Sequence, residues 1–393
     1  MAAILIKENV WEVGVKDPDL KVFDITMKTD GTTYNSYLVK GSEKIALIDT
    51  VKKEFTEEFI QNVEAITPIE KIDYLIVNHT EPDHSGAMTA VLAKNPDIKI
   101  LCSAAAVPYV KNIINCEADI EGVKDKSQLE LGGKTFTFRL MPYMHWPDTM
   151  MDFLEEDGIL FSNDGFAAHL CSDELYADEL DADVDHEVEY YFKCIMRPFT
   201  GYIRRNMPKL DDHTISMVAP SHGPLFRKEP LKQINRYKEW SVDKTENNNL
   251  ITIFYASNYG NTNKIAEELS RLLNEKGYDI NLIDAVDCDH DEVRESIESS
   301  KAVVVGTPTF NGDAVKPIWD LMSLFSTVYS IGKKAAVFGS YGWGGEGAKM
   351  VADRFSGLKL KVYEEQYRAR LVPSDEEMLS LKEFAAGFSE FVG

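Results

Sequence analysis

Asn78-His79-Thr80-Glu81-Pro82-Asp83-His84-Ser85-Gly86 directly follows the apolar run Tyr74-Leu75-Ile76-Val77. A short apolar run of this kind is typical of a buried strand, so four potential metal ligands lie within six residues at a strand end. In an extended segment, alternate spacing places the first His, the Glu and the Asp on one side, while the second His turns towards the other. We therefore predict that this loop binds metal, and two ions are able to share it.

Three later stretches repeat the arrangement of an apolar strand followed by a potential ligand. They are Met144-His145-Trp146-Pro147-Asp148, the stretch 158–165 with its Asp164, and the stretch 215–224 with its His222. A single histidine at a strand end is usually structural, but ligands at four strand ends favour a metal site, because functional residues concentrate in loops on a rigid sheet. The predicted ligands are His79, Glu81, Asp83, His84, His145, Asp164 and His222.

The predicted donor set contains imidazoles and carboxylates but no thiolate. We assign one metal ion to His79, Glu81 and His145, a second to Asp83, His84 and His222, and the bridging position to Asp164. Such a hard set of nitrogen and oxygen donors suits iron or manganese as well as zinc. Two ions about 3.5–4 Å apart bind both ends of a diatomic molecule or position a hydroxide for hydrolysis, and the ligands alone leave both chemistries open.

Other residues near these strand ends have weaker assignments. Asp49 is predicted either to support a ligand or to cap a helix. His169 and Trp146 are the candidates for catalytic residues that do not bind metal: His169 is expected to line the pocket, and Trp146 to form its wall rather than an electron relay. Three histidines in polar or acidic surroundings are expected at the surface, namely His186, His213 and His290.

Size and charge restrict the class of protein. At 393 residues the chain is longer than one hydrophobic core usually spans, which predicts two domains. The formal net charge of −23 argues against nucleic acid as a partner, because phosphate binding needs clustered Lys and Arg.

Targeting signals and cysteines bear on location. No basic region precedes the short apolar run at the start, so no signal peptide is predicted. No stretch reaches the roughly 18 apolar residues of a membrane span. The five cysteines are scattered and contain no C-x-x-C pair, which indicates a reducing cytoplasm.

A polar stretch, Asp243-Lys244-Thr245-Glu246-Asn247-Asn248-Asn249, separates two patterns. Before it, period-two strands bounded by turn residues predict hairpins. Beyond it, apolar runs and helical stretches alternate over about 145 residues, which predicts a parallel, doubly wound sheet. We therefore predict one domain at 1–248 and a second at 249–393. The later strands of the second domain are expected near Ile280–Leu282, Ala302–Val305, Ala335–Phe338 and Leu358–Val362.

The first strand and helix of the second domain are joined by Ser257-Asn258-Tyr259-Gly260-Asn261-Thr262. Small and hydroxyl-bearing residues at this position let backbone N–H groups and hydroxyls surround a phosphate at the helix N-terminus. The loop lacks the G-K-[ST] of a P-loop, which argues against a nucleoside triphosphate. It resembles the flavodoxin loop for the phosphate of flavin mononucleotide (FMN), although Tyr259 replaces the usual Ser or Thr.

Two more loops follow later strands, at the carboxyl ends where ligands of open parallel sheets bind. They are Gly306-Thr307-Pro308-Thr309-Phe310-Asn311 and Gly339-Ser340-Tyr341-Gly342-Trp343-Gly344-Gly345. The overlapping stretch Gly342-Trp343-Gly344-Gly345-Glu346-Gly347 also satisfies the dinucleotide pattern G-x-G-x-x-G, but it follows the fourth strand instead of opening the domain. Both loops resemble the flavodoxin loops that hold the isoalloxazine ring. Each alone is compatible with simple turns, and the three together favour FMN.

The metal-site motif carries a resemblance of its own. His79-x-Glu81-x-Asp83-His84, followed by His145, Asp164 and His222, resembles the metallo-β-lactamase fold. Hydrolases of that fold carry H-x-H-x-D-H, whereas this chain has Glu81 in place of the second His. A carboxylate there shifts the preference from zinc towards iron. This variant, joined to flavodoxin-like loops, resembles the flavodiiron proteins over essentially the whole chain.

The resemblance implies a fold, cofactors and an activity. The fold is an N-terminal metallo-β-lactamase-like αββα sandwich and a C-terminal flavodoxin-like doubly wound parallel sheet, a combination of α/β and α+β classes. The cofactors are FMN and two non-haem irons. The implied activity is the reduction of O2 to water, of NO to N2O, or of both, with electrons passing from FMN to the diiron centre.

The resemblance also implies partners. It implies a head-to-tail homodimer, or a dimer of dimers, in which the FMN of one subunit lies beside the diiron site of the other. The chain carries no C-x-x-C knuckles of a fused rubredoxin, so we expect an external donor, either rubredoxin or coenzyme F420.

Two rival functions remain open. The first is a dizinc hydrolase with a passenger flavodoxin domain, against which Glu81 counts. The second is an electron carrier or structural module with a vestigial metal site, against which the complete ligand set counts. The preference between O2 and NO depends on pocket shape and redox potentials, which the ligand types leave open.

Overall fold

A computed structural model of the chain describes residues 3–24, 27–243 and 248–393. The chain divides into an N-terminal unit, Met1–Val242, and a C-terminal unit, Asp243–Gly393. Residues 244–247 of the predicted linker lie outside the described residues. The domain boundary expected after residue 248 stays a prediction.

The N-terminal unit is built from short strands and helices. Its strands are β1 Ile4–Lys7, β2 Val10–Glu12, β3 Val15–Asp17, β4 Val22–Phe23, β5 Met27–Lys28, β6 Thr32–Tyr34, β7 Tyr37–Lys40, β8 Ile45–Ile48, β9 Tyr74–Val77, β10 Lys99–Ser103, β11 Asp119–Val123, β12 Gln128–Glu130, β13 Thr135–Leu140, β14 Met150–Leu154, β15 Ile159–Asn163 and β16 Met217–Pro220. Its helices are α1 Thr56–Glu64, α2 Pro82–Ser85, α3 Met88–Lys94, α4 Val107–Ile114, α5 Val184–Tyr191, α6 Thr200–Asn206 and α7 Leu231–Trp240.

Two sheets form the centre of the N-terminal unit. One has the strand order β1-β2-β7-β8-β9-β10-β11, and the other has the order β12-β13-β14-β15-β16. Strand β9 lies between β8 and β10 and is parallel to both. Because such a strand is covered on both faces, its sequence is an apolar run instead of an alternating one.

Apolar side chains fill three layers around these sheets. Along β9, Ile76 faces the other sheet and packs with Phe136 and Phe161 in the core between the sheets. Leu75 and Val77 point to the opposite face, where α1, α3 and α4 cover the seven-stranded sheet. A third cluster packs α5, α6 and α7 against the five-stranded sheet. The order helix, sheet, sheet, helix confirms the predicted αββα sandwich.

The C-terminal unit alternates strands and helices. Its strands are β17 Leu250–Tyr255, β18 Asp279–Asp284, β19 Ala302–Phe310, β20 Asp313–Ala314, β21 Lys334–Tyr341, β22 Lys361–Val362 and β23 Tyr367–Arg370. Its helices are α8 Asn261–Asn274, α9 His290–Ser299, α10 Lys316–Ser323, α11 Thr327–Ser330, α12 Glu346–Gly357 and α13 Asp375–Val392. The main sheet has the parallel order β18-β17-β19-β21-β22, which is the flavodoxin order of a doubly wound fold.

The last strand of this sheet differs from the prediction. The run Leu358–Val362 was expected to be a strand, but only Lys361–Val362 pairs with the start of β21. A second piece, β23, pairs with the end of β21. Leu358 and Leu360 instead pack into the core beside α12. These two leucines are therefore apolar because they pack into the core just after the end of α12, and not because they pair in the sheet.

Two further observations concern the surface. His213 was expected at the surface, but its side chain is only 4% exposed. Its Nε2 accepts a hydrogen bond from Arg139 Nε at 2.6 Å, which explains how a polar ring is accommodated there. Among the described helices, none has the length and apolar character needed to cross a membrane.

Candidate metal centre and flavin loops

The seven predicted ligands converge where the two sheets of the N-terminal unit deliver their strand ends. The stretch from His79 to His84 follows β9 of the seven-stranded sheet. Asp164 and His222 follow β15 and β16 of the five-stranded sheet, and His145 lies on the loop between β13 and β14. All seven are buried.

The first group consists of His79, Glu81, His145 and Asp164, whose potential ligand atoms lie within 4.8 Å of one another. Glu81 Oε2 lies 3.2 Å from His79 Nε2 and 3.1 Å from His145 Nε2. Atoms bound about 2.1 Å from one ion lie roughly 3.0–3.4 Å apart, so these separations suit ligands of a shared ion.

The second group consists of Asp83, His84 and His222. Asp83 Oδ1 lies 3.3 Å from His84 Nε2, and Asp83 Oδ2 lies 3.3 Å from His222 Nε2. Within the described part of the chain, none of these four buried atoms has a hydrogen-bond partner. Because buried polar atoms are nearly always paired, the four atoms indicate a group that they bind together.

Asp164 faces both groups with different oxygens. Its Oδ2 lies 3.1 Å and 3.5 Å from the two Nε2 atoms of the first group. Its Oδ1 lies 3.0 Å and 3.6 Å from the two Nε2 atoms of the second group. Ser221 Oγ donates a hydrogen bond of 2.6 Å to Oδ1 and holds the carboxylate in this orientation. A carboxylate so placed is able to bridge two ions.

Opposite charges within the cluster shift the pKa values. Burial opposes a charge on His79, but the neighbouring carboxylates of Asp148 and Glu81 outweigh burial and raise its pKa to about 10. Burial likewise opposes a charge on His145, and Asp164 and Glu81 raise its pKa to about 10. Burial acts to raise the pKa of Glu81, yet the two imidazoles hold it below its usual value. Metal binding would displace the imidazole protons, since ions bind neutral His and ionised carboxylates.

Asp148 supports the first group from behind. Its Oδ2 accepts hydrogen bonds from Thr80 N at 2.9 Å and from Thr80 Oγ1 at 2.7 Å. Its Oδ1 lies 3.5 Å from His79 Nδ1. Carboxylates that receive the second N–H of a metal-binding histidine orient the ring and increase its basicity. Asp148 lies three residues after His145 in the sequence, but its position behind His79 was not predicted.

Thr33 supports the second group. Its carbonyl accepts a hydrogen bond of 2.7 Å from His222 Nδ1, which directs Nε2 towards the cluster. Its Oγ1 accepts a hydrogen bond of 2.7 Å from Gly223 N, next along the chain. Nothing in the local sequence around Thr33 signals this role, because the two partners come together only in the fold.

Asp49 joins two of the ligand loops. Its Oδ1 accepts a hydrogen bond of 2.8 Å from Asn78 N, and its Oδ2 accepts one of 3.1 Å from Asn163 Nδ2. Asn78 and Asn163 immediately precede ligand positions. Asp49 is not the N-cap of α1, which is Phe55, so the support interpretation fits and the capping interpretation is wrong.

The two candidate catalytic residues both line the cluster. The ring of His169 lies 4.6 Å from that of His222, and its Nδ1 lies 2.8 Å from Thr32 Oγ1. Burial holds the pKa of His169 well below its usual value, so the ring is neutral. The half-buried Trp146 ring lies edge-on, 5.0 Å from the ring of His79. Their catalytic roles stay a prediction.

Tyr191 is a pocket residue that the sequence analysis missed. Its ring lies 5.1 Å from His169 and 6.5 Å from His222. Its hydroxyl is buried and has no hydrogen-bond partner among the residues the structure describes. Burial, reinforced by the charge of Asp164, raises the pKa of this hydroxyl well above its usual value, so it remains a donor. Nothing in the sequence around Tyr191 predicts that its side chain lies beside the metal ligands.

The predicted phosphate loop joins β17 to α8 in the C-terminal unit. Gly260 is the N-cap of α8 and has a φ of 81°, which glycine adopts without strain. Ser257 Oγ is buried without a hydrogen-bond partner in the described residues. Thr262 Oγ1 lies 2.8 Å from Ser340 Oγ and so connects this loop to the third one. A free hydroxyl beside the N-terminus of a 14-residue helix suits a phosphate.

The other two flavin loops begin later than predicted. Thr307, Pro308, Thr309 and Phe310 are the last residues of β19, while Ser340 and Tyr341 are the last of β21. Exposed aromatic side chains stand on all three loops: Tyr259 is 85%, Trp343 76% and Phe310 48% exposed. Asn311 and Gly345 turn the chain with φ angles of 53° and 100°. Their contacts with FMN stay a prediction.

Comparison with known proteins agrees with both units. A family model described as ODP family beta lactamase matches residues 32–223, and one described as Flavodoxin matches residues 253–384. The Flavo-diiron protein FprA2 of Clostridium acetobutylicum is 37% identical, with 100% of each chain covered. The chain belongs to the flavodiiron protein family.

Two further matches extend this result. The anaerobic nitric oxide reductase flavorubredoxin of Salmonella paratyphi B is 34% identical to this flavodiiron protein, covering 90% of this chain and 75% of that protein. The structure of rubredoxin oxygen:oxidoreductase from the anaerobe Desulfovibrio gigas aligns with a TM-score of 0.72 and 27% identity, covering 99% of this chain and 98% of that one.

Membership confirms the predicted family and fold and makes the chain an oxidoreductase with FMN and a diiron centre as its cofactors. The residues present fit both groups. In the N-terminal unit, buried imidazole nitrogens and carboxylate oxygens face one another, and four of these atoms have no hydrogen-bond partner among the described residues. In the C-terminal unit, Ser257 Oγ is buried beside a helix N-terminus that suits a phosphate. The role of each residue as a ligand stays a prediction.

Proposed function

We propose that this flavodiiron protein reduces O2 to water, NO to N2O, or both, at a diiron centre in its N-terminal unit. The observation that carries the proposal is the pair of buried ligand groups that share Asp164. Glu81 adds a carboxylate where zinc hydrolases of this fold have a second histidine. Seven buried donors of nitrogen and oxygen suit iron in preference to a soft metal.

When bound, the two irons supply Lewis acidity and redox equivalents, and FMN supplies electrons one at a time. The residues of the chain fix the geometry in which this happens. Asp164 directs one oxygen to each group, so it would hold both ions when they are bound. Thr33 and Asp148 hold the rings of His222 and His79 from behind, so that each Nε2 is directed into the cluster.

The pocket wall would position the diatomic substrate. Two buried polar atoms, His169 Nε2 and the Tyr191 hydroxyl, lack hydrogen-bond partners within the described residues. Both belong to rings that lie close to His222. We assign them the role of hydrogen-bond partners for the substrate oxygen or for the water produced. Trp146 and Phe23, whose ring lies 4.0 Å from that of His169, would exclude bulk water. Excluding water strengthens each of these interactions.

We propose that electrons reach FMN from an external donor, either a rubredoxin or coenzyme F420. The names of two relatives, a flavorubredoxin and a rubredoxin oxygen:oxidoreductase, support a rubredoxin-type donor. A homodimer or a dimer of dimers, with the FMN of one subunit beside the diiron centre of another, is part of the same proposal. Light scattering of the purified protein tests the assembly.

The test of the activity combines metal analysis with gas kinetics. Purified protein is expected to contain about two irons and one FMN per chain. After anaerobic reduction, it is mixed with O2 or with NO in separate stopped-flow experiments. Rapid reoxidation identifies the oxidoreductase activity, and the gas that reacts faster identifies the preferred substrate. If the protein contains zinc in place of iron, and its flavin is reoxidised no faster than free FMN, the protein is instead a hydrolase.

Asp164→Ala tests the ligand assignment. The variant is expected to keep FMN and to lose iron and activity, because the bridge between the two groups is gone. Asp119→Ala, at an exposed position of the edge strand β11, makes the same chemical change away from the site and is the control. Full iron content and activity in Asp164→Ala would refute the assignment.

A further inference from the structure

Two arginines hold the third flavin loop of the C-terminal unit, which comprises residues 339–345. Arg370 Nε donates a hydrogen bond of 3.2 Å to the carbonyl of Gly342. Arg368 Nη1 donates one of 3.4 Å to the carbonyl of Gly345. Both arginines lie on the exposed face of β23, which pairs with the end of β21. One guanidinium group is therefore bonded to each end of the turn that follows β21.

Neither guanidinium group is neutralised by a carboxylate. Within the described part of the chain, Arg368 and Arg370 form no ion pair. An exposed cation needs no partner, so this alone carries no function. These two are distinguished because both are bonded to one loop, and that loop is assigned to FMN. In a chain of net charge −23, they place two positive charges beside the predicted flavin site.

The same loop has unused backbone donors. Among the hydrogen bonds of the described residues, none is donated by the backbone N–H groups of residues 343–346. Gly344 and Gly345 turn the chain here with φ angles of 80° and 100°. Successive N–H groups in such turns form concave sites for negative charge. The loop therefore has donors to offer to a bound group.

The arginines fix the direction of two of these donors. A trans peptide is planar, so its C=O and N–H point in opposite directions. Because the Gly342 carbonyl is turned to Arg370, the N–H of Trp343 points away from that arginine. Arg368 acts in the same way on the N–H of Glu346. A cation at the carbonyl oxygen also polarises the peptide and makes its N–H a stronger donor.

We propose that Arg368 and Arg370 are positioning residues that favour the reduced form of the bound FMN. Reduction by the external donor adds two electrons and one proton, so the ring gains one negative charge that the oxidised ring lacks. Donors held against the ring stabilise that charge, and groups near the ring nitrogens are known to set flavin electronics. This inference rests on the proposed assignment of residues 339–345 to the flavin ring.

One acid on the loop acts in the opposite sense. The carboxylate of Glu346 lies against Gly344, where a side chain at position 344 would stand. A negative charge there disfavours a negatively charged ring. The two arginines outnumber this acid, so the charges in contact with the loop sum to a positive value.

The test measures the reduction potential of FMN in the full chain loaded with iron and FMN. The protein is titrated anaerobically with dithionite beside reference dyes, with neither O2 nor NO present, and the flavin absorbance is followed. The double variant Arg368→Gln and Arg370→Gln keeps an amide donor for each carbonyl but removes both charges. It is expected to bind reduced FMN about tenfold more weakly relative to oxidised FMN, which lowers the two-electron potential by about 30 mV. Each single variant should give roughly threefold.

Two controls separate charge at the loop from other effects. Arg354→Gln removes an equal charge from an exposed position on α12 and is expected to keep the ratio of the two affinities within about twofold. The double variant Arg368→Lys and Arg370→Lys keeps both charges and should stay within about threefold. The affinity for oxidised FMN, measured by fluorescence titration of the FMN-free chain, should change by less than about threefold in each variant.

An unchanged potential in the folded double Gln variant would overturn the proposal. Equal losses of affinity for oxidised and reduced FMN would do the same, because they would show that the arginines only brace the loop. A comparable shift in Arg354→Gln or in the double Lys variant would also overturn it, since the charge at the loop would not be the cause. If the double Gln variant loses FMN, the two single variants decide. Because no gas is present, the result is independent of whether the protein reduces O2 or NO.

Discussion

Asp148→Asn is expected to weaken metal binding by the group that contains His79. The carboxylate is fully buried, and its Oδ2 is already occupied by two hydrogen bonds from Thr80. Its Oδ1 is left for His79 Nδ1, 3.5 Å away. When Nε2 binds metal, Nδ1 carries the proton and requires an acceptor. The side chain of Asn has only one oxygen. If that oxygen accepts the hydrogen bonds from Thr80, the NH2 group faces the Nδ1–H of His79, and two donors then meet without an acceptor.

The size of the effect follows from the one interaction that is lost. Asn has nearly the volume of Asp and keeps one acceptor, so the packing is preserved. A hydrogen bond to a charged group contributes about 1.5–3 kcal/mol. At 1.4 kcal/mol for each factor of ten, the affinity for the ion should fall roughly 10- to 150-fold. This agrees with the fall of about 10- to 100-fold usual for residues that orient metal ligands.

The assay is iron retention against a chelator of known affinity, measured by elemental analysis. Asp152→Asn is the matched control, because Asp152 is equally buried in the same unit. Burial raises the pKa of Asp152 well above its usual value, so it is a neutral carboxyl that accepts a hydrogen bond of 2.9 Å from Asn78 Nδ2. An amide replaces a neutral carboxyl closely, and the iron affinity should stay within about twofold. FMN content should be unchanged in both variants.

Parent-like iron affinity in folded Asp148→Asn would refute the reasoning, since it would mean that His79 needs no acceptor behind it. Equal losses in both variants would also refute it, because they would indicate a general weakening of the unit and not a specific loss at His79.

Three other changes test separate parts of the fold. Burial raises the pKa of Glu12 from 4.5 to about 7, so the folded chain holds this proton more tightly than the unfolded chain, and stability falls as the pH rises through that range. In Glu12→Gln the fall in unfolding free energy over this pH range, measured by urea unfolding at several pH values, should be about 3 kcal/mol smaller. An unchanged dependence of stability on pH would contradict the raised pKa of Glu12. Ser257→Ala removes the buried hydroxyl of the predicted phosphate loop, which has no hydrogen-bond partner in the described part of the chain. Fluorescence titration should show FMN affinity reduced at least about tenfold, whereas equal affinity would exclude a phosphate contact. Phe161→Ala opens a cavity between the sheets, where Phe161 is 1% exposed and lies 4.9 Å from the ring of Tyr37. It should cost about 3–5 kcal/mol of unfolding free energy, and a loss below about 1 kcal/mol would mean that the core closes around the gap.

Much of the fold follows from short-range patterns. Strand β9 is an apolar run because it lies between two parallel neighbours, and the ligands follow such runs directly. After residue 248, apolar runs alternate with helical stretches. This alternation predicted the parallel sheet, because parallel strands are joined by helices and are buried on both faces. The pattern failed at Leu358 and Leu360, where two apolar residues are buried by packing beside a helix and not by pairing in a sheet.

The supporting residues could not be predicted in this way. Thr33 and its partner His222 are 189 positions apart in the chain. Asp148 and Thr80 are 68 positions apart. Tyr191 is an ordinary helical residue by sequence and becomes a pocket residue only because α5 packs against the five-stranded sheet. Composition and spacing carry no information about contacts of this range.

Local sequence was therefore enough to predict the candidate ligands, the strand ends that they follow and the two-domain plan, because those features depend on neighbours a few positions apart. Only the packing of one sheet on the other established that the two oxygens of Asp164 face different histidine groups. Tertiary packing also buried Glu12 and left its Oε2 without a hydrogen-bond partner in the described chain. Distances between residues far apart in sequence are set by the whole fold, and the chemistry of the site depends on those distances.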